Sequence, residues 1–276
     1  MKVPPWPRPD PPFAAPKGAG RVRIALRACA LVTVLAVLLP LHLLVRMAEA
    51  PLTQRRRPVS GYLVQGFCRA CITMTGLRLI VRGAPMLKAG GVVANHGSWL
   101  DIFVLNARHR VVFVSKSEVM EWPAIGYLAR CAGTLFIRRD ARDALAQNAA
   151  LAERLRRGEQ LVFFPEGTST DGLRVLPFKS TLFQAFFALS AENPVYIQPV
   201  TIIYHAPCEA DAAFYAWYGD MDFGPHAAQI LAARRGGCVE LVYHVPLCVT
   251  DFPNRKALAA EAERMVRAAM PPERQG

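Results

Sequence analysis

The stretch "NHGSWLD" (95–101) sets a histidine and an aspartate five positions apart, directly after the apolar run "GGVVA". A carboxylate that accepts from one imidazole nitrogen fixes the tautomer and leaves the other nitrogen as a base. Within a regular helix, positions five apart project about 140° from each other and do not meet. Across a strand-to-helix turn, with His96 in the loop and Asp101 in the first helical turn, they do. The same letters also read Ser98-x-x-Asp101, a variant of the capping box, which needs no chemistry at all.

Two further clusters follow apolar runs. "GTLFIRR" (133–139) ends in Arg138 and Arg139, and strand alternation turns them to opposite faces, so at most one serves a given site as an anion clamp. "VFFPEGTSTDG" (162–172) places Glu166, Gly167 and Thr168 in a strand-end turn. The plain readings are a solvated strand end and an ordinary turn. Open α/β sheets, however, bind ligands past the carboxyl ends of their strands, and His96, Arg139 and Glu166 all fall there. The remaining histidines (42, 109, 205, 226 and 244) have no recognisable partner in the sequence. The aromatic and acidic run "AWYGDMDFGPH" (216–226) reads as a packed surface loop, with a lid or headgroup loop as the other choice.

The elements that must carry these residues are legible from residue 77 onward. Short apolar runs at 77–83, 90–95, 110–116, 133–139, 160–167, 195–204 and 238–247 read as strands. Helical stretches fall at 98–107, 119–131, 141–157, 178–191 and 255–269. The alternation predicts an α/β domain over 77–276 with a largely buried mixed sheet flanked by helices. No element is assigned to 205–237.

The N-terminal part differs. Residues 1–20 are rich in Pro and Gly and read as an extended tail; the late apolar core and missing cleavage site exclude a signal peptide. Ala28 to Val45 carries no charge and would extend about 27 Å as a helix, just the thickness of a bilayer core. Arginines 21, 23 and 27 flank one end and arginines 46 and 55–57 the other, so the charge rule gives no orientation. A helix that dips into one leaflet and returns through 60–76 would leave both basic ends in the cytoplasm, and Pro40 is a candidate kink. Residues 21–76 are therefore expected to be a membrane-embedded helical segment, with a buried core helix as the other reading.

Composition agrees. Hydrophobic residues make up 53%, mean hydropathy is +0.20 and the net charge is +12. All of that excess lies in residues 1–90, which hold 14 Lys/Arg against 2 Asp/Glu, while 91–276 hold 19 of each. Basic residues beside an apolar segment suit an anionic membrane surface; no basic face with interleaved aromatics points to nucleic acid. The seven cysteines show no disulfide framework. Cys68-x-x-Cys71 lacks a second pair at zinc spacing, so the thiols read as reduced and no metal site or cofactor is expected.

Taken in order, "NHGSWLD" (95–101), "GTLFIRR" (133–139), "FPEGT" (164–168) and "VYIQP" (195–199) resemble the four sequence blocks of the glycerolipid acyltransferases, the lysophosphatidic acid acyltransferase group. The resemblance covers roughly 60–205. It implies His96 as general base with Asp101 as its partner. It implies Gly133, Phe136 and Arg139 in acceptor binding, with Arg139 at a phosphate, and likewise Glu166 and Gly167; Pro199 shapes the acyl site. The family's N-terminal helical membrane motif suits residues 24–76.

The implied activity is transfer of a fatty acyl chain from an acyl carrier protein or coenzyme A thioester to the hydroxyl of a lysolipid, at a bacterial inner membrane with the site facing the cytoplasm. The first acceptor to expect is 1-acylglycerol 3-phosphate; the second is a lyso-ornithine lipid, or both. A non-catalytic membrane tether is the rival of another class. One departure bears on this choice. Many members read E-G-T-R in the third block, and here Ser169 replaces the arginine. A phosphate prefers two or more cationic contacts, which leaves Arg174 or Lys179 to substitute.

Overall fold

The computed structural model describes residues 15–53, 56–138, 144–190, 194–208 and 210–275. Most of the expected tail, and Arg139, lie outside the described residues.

Among the described residues, eight strands form one mixed sheet. They are β1 (Arg78–Arg82), β2 (Gly90–Ala94), β3 (Val112–Lys116), β4 (Leu135–Ile137), β5 (Gln160–Phe163), β6 (Tyr196–His205), β7 (Cys238–Tyr243) and β8 (Leu247–Cys248). The order is β1-β7-β6-β2-β5-β3-β4. All neighbours run parallel except β7 and β8, which both pair antiparallel with β6. The expected strand at 238–247 is thus two, broken between Tyr243 and Leu247.

β2 and β5 are buried at every position, as strands covered on both faces must be. Alternation splits β2 between two cores. Val92 and Ala94 join Cys68, Ile72, Leu100, Val104 and Ile230 on one face. Val93 joins Leu151, Phe183, Phe186, Leu258 and Val266 on the other. Pro199 sits within β6, opposite Val93 of β2. A proline cannot donate to a ladder, and Pro199 falls in the gap between β8, which ends its pairing at Ile197, and β7, which begins at Val200.

The helices are α1 (Ala19–Leu52), α2 (Ser60–Thr75), α3 (Asp101–Arg108), α4 (Ile125–Ala132), α5 (Ala144–Arg156), α6 (Phe183–Ser190), α7 (Phe223–Ala232) and α8 (Arg255–Ala268). Two expected helices are shorter than their periodicity suggested. A 3-10 turn at Ser117–Glu121 takes the start of the 119–131 stretch, and 178–191 becomes helical only at Phe183. α7 lies in the span that carried no sequence assignment.

α1 runs for 34 residues straight through Pro40. It pairs antiparallel with α2. The Glu49 carboxylate accepts from Val59 N (2.6 Å), Ser60 N (3.3 Å) and the Ser60 hydroxyl, satisfying donors at the start of α2. At the other end Arg23 Nε donates to Ala232 O (2.7 Å), and Arg27 Nη1 to Leu231 O and Ala233 O (2.9 Å each). These arginines thus complete the carbonyl end of α7. His42 turns inward onto Cys131 O at 3.0 Å. The opposite face keeps Val32, Val37, Leu41, Leu44 and Met47 exposed. By length and a hydropathy of 2.5, α1 is able to cross a membrane.

Candidate active site

β2 ends at Ala94 and α3 begins at Asp101; the turn between them holds His96. Asn95 fixes the turn's base, because its side-chain amide copies a ladder pair. Nδ2 donates to Ile202 O (2.9 Å) and Oδ1 accepts from Ile202 N (2.8 Å) on β6.

Beyond it, His96 Nδ1 meets Asp101 Oδ2 at 2.7 Å. The same oxygen accepts from Gly97 N (3.0 Å) and Ser98 N (3.1 Å), and Oδ1 accepts from the Tyr204 hydroxyl (2.7 Å). Asp101 is completely buried, and these four donors match a carboxylate's acceptor capacity. The capping motif and the histidine pair therefore coincide: the carboxylate that reaches back to Ser98 N also holds the imidazole. Nδ1 is spent on Asp101, which leaves Nε2 as the proton-accepting nitrogen. The ring is one-fifth exposed and lies flat on Phe164, centroids 4.1 Å apart and planes 11° apart.

Glu166 comes to the same place from β5, but its carboxylate turns inward. Oε1 accepts from His96 N (3.0 Å), and Oε2 has no partner among the described residues. Burial pushes its carboxyl well above the usual range, the His96 N–H opposing. Two more bonds join these loops, Thr170 N to His96 O (2.8 Å) and Trp217 N to Gly97 O (2.9 Å). Gly167 occupies the left-handed region (φ 76°), where a side chain would be strained.

Pro199 sits beneath this constellation, opposite a β2 residue three positions before His96. Gly133 and Phe136 are not brought to His96. Phe136 lies on β4, two strands beyond β5, opposite Ser115. Gly133 precedes β4 at the amino ends of the strands, against the Arg57 guanidinium. Of the two cations offered in place of the missing arginine, Arg174 is engaged by Asp171, Nε at 3.1 Å and Nη2 at 2.8 Å from Oδ2. The Lys179 side chain is exposed.

Several participants had no signal in the sequence. Tyr204 is the last apolar-run residue of β6, and nothing in "VTIIYH" marks it as a partner of Asp101. His226 is buried and accepts through Nδ1 from Trp99 Nε1 at 2.9 Å. Burial pulls its pKa down to about 4, the Phe214 carbonyl opposing. The run 216–226 thus borders the His96 turn through Trp217, and His226, read as unpartnered, braces Trp99. His244 likewise has a partner, Thr201 Oγ1 at 2.8 Å.

The family model named Acyltransferase matches residues 71–203. The chain is 54% identical to a lyso-ornithine lipid O-acyltransferase of Rhodobacter capsulatus, covering 94% of each chain. It is 36% identical to one of Brucella abortus, covering 91% of this chain and 95% of the other. A crystal structure of a 1-acyl-sn-glycerophosphate acyltransferase from Thermotoga maritima superposes with a TM-score of 0.62 at 21% identity, over 91% of this chain and 96% of that one; at that identity the likeness concerns the fold. The protein belongs to the acyltransferase family, as an α/β enzyme with a histidine–aspartate pair at the carboxyl edge of its sheet.

Proposed function

We propose that this protein esterifies the free hydroxyl of a lyso-ornithine lipid with a fatty acyl chain taken from an acyl carrier protein or coenzyme A thioester. The observation that carries the chemistry is the His96–Asp101 contact, which reserves Nε2 for a substrate proton. In the reaction the acceptor hydroxyl donates to Nε2 as its oxygen attacks the thioester carbonyl carbon. The tetrahedral intermediate collapses with cleavage of the carbon–sulfur bond. The imidazolium, held by Asp101, returns its proton to the departing thiolate. Glu166 acts as a positioning residue that holds the His96 backbone, and Phe164 keeps the ring flat.

For the acceptor, the reading placed first on sequence grounds, 1-acylglycerol 3-phosphate, gives way to the second. Two observations favour this. The relatives matched over nearly the whole chain carry the lyso-ornithine name. In addition, Ser169 takes the arginine's position while Arg174 is already paired with Asp171. The ornithine headgroup carries both a carboxylate and an ammonium, so it makes a smaller demand on a second cation than a phosphate does.

We place α1 within one leaflet of the bacterial cytoplasmic membrane. Its contacts to α7, α4 and α2 bind it along the domain, and the apolar face it leaves exposed suits burial among acyl chains. The test is an acyl-transfer assay on membranes holding the protein, with both lysolipids and both donor types. Turnover of 1-acylglycerol 3-phosphate at the higher kcat/KM would overturn the acceptor assignment.

A further inference from the structure

A cavity of about 800 Å³ opens at the edge of the sheet opposite His96. It is built from the starts of strands: Leu87 before β2, His109 to Val112 entering β3, and Gly158 to Gln160 entering β5. Arg56, Arg57 and Pro58, just ahead of α2, close it. Strands of four and five residues, at about 3.3 Å each, separate it from the His96 and Glu166 turns.

Its lining is strongly basic. Arg56, Arg57, Arg110 and Arg157 contribute to it against one acid, Glu159. That acid is paired with Arg154 at 3.0 Å, and Arg157 is paired with Glu153 at 2.8 Å, so Arg56 and Arg110 form no ion pair among the described residues; Arg110 lies over the Tyr62 ring at 4.0 Å. Arg57 is largely buried. It donates through Nη1 to Cys131 O (2.7 Å), and burial, followed by repulsion from Arg46 and Arg154, lowers its pKa to about 10.

Buried polar atoms without a hydrogen-bond partner are few in folded proteins. Of the six found among the described residues, three belong to residues of this lining, Arg57 Nε, His109 Nδ1 and Gln160 Oε1, and lie behind its surface. The exposed guanidiniums of Arg56 and Arg110 match an anionic group such as a phosphate. The rim is apolar. Leu87 (97% exposed) and Leu52 (83%) are the two most exposed large hydrophobic side chains among the described residues, and both border the cavity. An amphiphile is the ligand that matches guanidiniums inside and bare leucines at the mouth.

We propose that this cavity is a second, non-catalytic site that holds the phosphate headgroup of an anionic lipid, whose chains leave past Leu52 and Leu87 into the leaflet. Occupancy would seat the α1–α2 link on the membrane while His96 works at the far edge of the sheet. It does not depend on which lysolipid is acylated.

The test uses the full chain in detergent, titrated with dihexanoyl phosphatidylglycerol and, separately, with inorganic phosphate, and read by native mass spectrometry and calorimetry. One lipid per chain is expected, bound at least about tenfold more tightly than phosphate. In Arg56→Gln/Arg110→Gln, whose side chains are exposed and whose fold is checked by an unchanged melting temperature, lipid binding falls at least about tenfold. Leu52→Ser/Leu87→Ser weakens lipid binding and leaves phosphate binding alone. Lipid binding unchanged in the arginine pair overturns the site. Phosphate matching the lipid in the wild type overturns the lipid as its occupant.

Discussion

The Tyr204 hydroxyl, from β6, donates to Asp101 Oδ1 at 2.7 Å while His96 Nδ1 holds Oδ2 at 2.7 Å. One buried carboxylate thus links the far strand to the reactive ring. Tyr204→Phe removes this donor and keeps the ring, which itself lies 5.5 Å from Tyr215. A hydrogen bond to a charged group is worth about 1.5–3 kcal/mol. We expect kcat to fall about tenfold or more with KM for the lysolipid little changed. A purely structural role would lower the melting temperature and leave the activity of the folded fraction intact.

His96→Ala removes the base itself. Acyl transfer should drop by about 10²- to 10⁴-fold, the usual worth of general acid–base catalysis, with expression and membrane association retained. Asp101→Asn keeps the size but presents an NH2 or a neutral oxygen to four donors, so it should lose activity on the same scale and some stability. Activity within tenfold of wild type in His96→Ala would remove His96 from the chemistry.

How far the site was legible follows from where its contacts come from. His96, Asp101 and Ser98 lie within one turn, and their meeting follows from local spacing and the strand-to-helix switch. The β-strands of the core were visible because each is a short apolar run. Tyr204 and Asn95 act across 103 and 107 positions of chain; that pairing is set by β6 lying beside β2, a sheet order that no local pattern encodes. α7 was missed because "FGPHAAQILA" opens with Gly and Pro, which read as a turn. The contacts of Arg23 and Arg27 with the end of α7 were hidden for a similar reason: they span more than 200 positions of chain.

Acid should loosen the protein through His226. Its Nδ1 accepts from Trp99 and its Nε2 lies 3.3 Å from Phe214 O, which is the neutral tautomer. Its folded pKa, about 4, lies below the ordinary imidazole value of about 6.5. The unfolded chain therefore binds the extra proton between these values, and stability, complete above pH 6.5, is lost as pH falls towards 4. One such group costs at most about 3 kcal/mol. His109, also held near 4 by burial with Arg108 and Arg110 adding to it, acts in the same direction. Glu166 acts oppositely: with a raised pKa, its contribution is lost as pH climbs above the ordinary carboxylate value. Comparison of wild type with His226→Gln isolates the histidine. The wild-type melting temperature should fall more steeply between pH 6.5 and 4; parallel curves would remove His226 from the effect.

Headgroup choice gives the last prediction. Ser169 lies in the loop that Thr170 ties to the His96 carbonyl, and its side chain is half-buried. An arginine there would be a second cation near the reacting hydroxyl, while the neighbouring Arg174 stays neutralised by Asp171. Ser169→Arg should therefore raise kcat/KM for 1-acylglycerol 3-phosphate by roughly tenfold or more, about the worth of one charge-assisted bond. It should leave turnover of the lyso-ornithine lipid unchanged or lower. Arg139, expected at an anionic headgroup from the resemblance alone, supplies the complementary variant. Arg139→Ala should cost the phosphate acceptor roughly ten- to hundredfold. The lyso-ornithine lipid should lose less, because its carboxylate is a weaker claimant on the same cation. Both variants are measured against both acceptors at saturating donor. If Ser169→Arg changes the two acceptors equally, position 169 does not face the headgroup, and the loss of the arginine there no longer explains a preference for a phosphate-free acceptor.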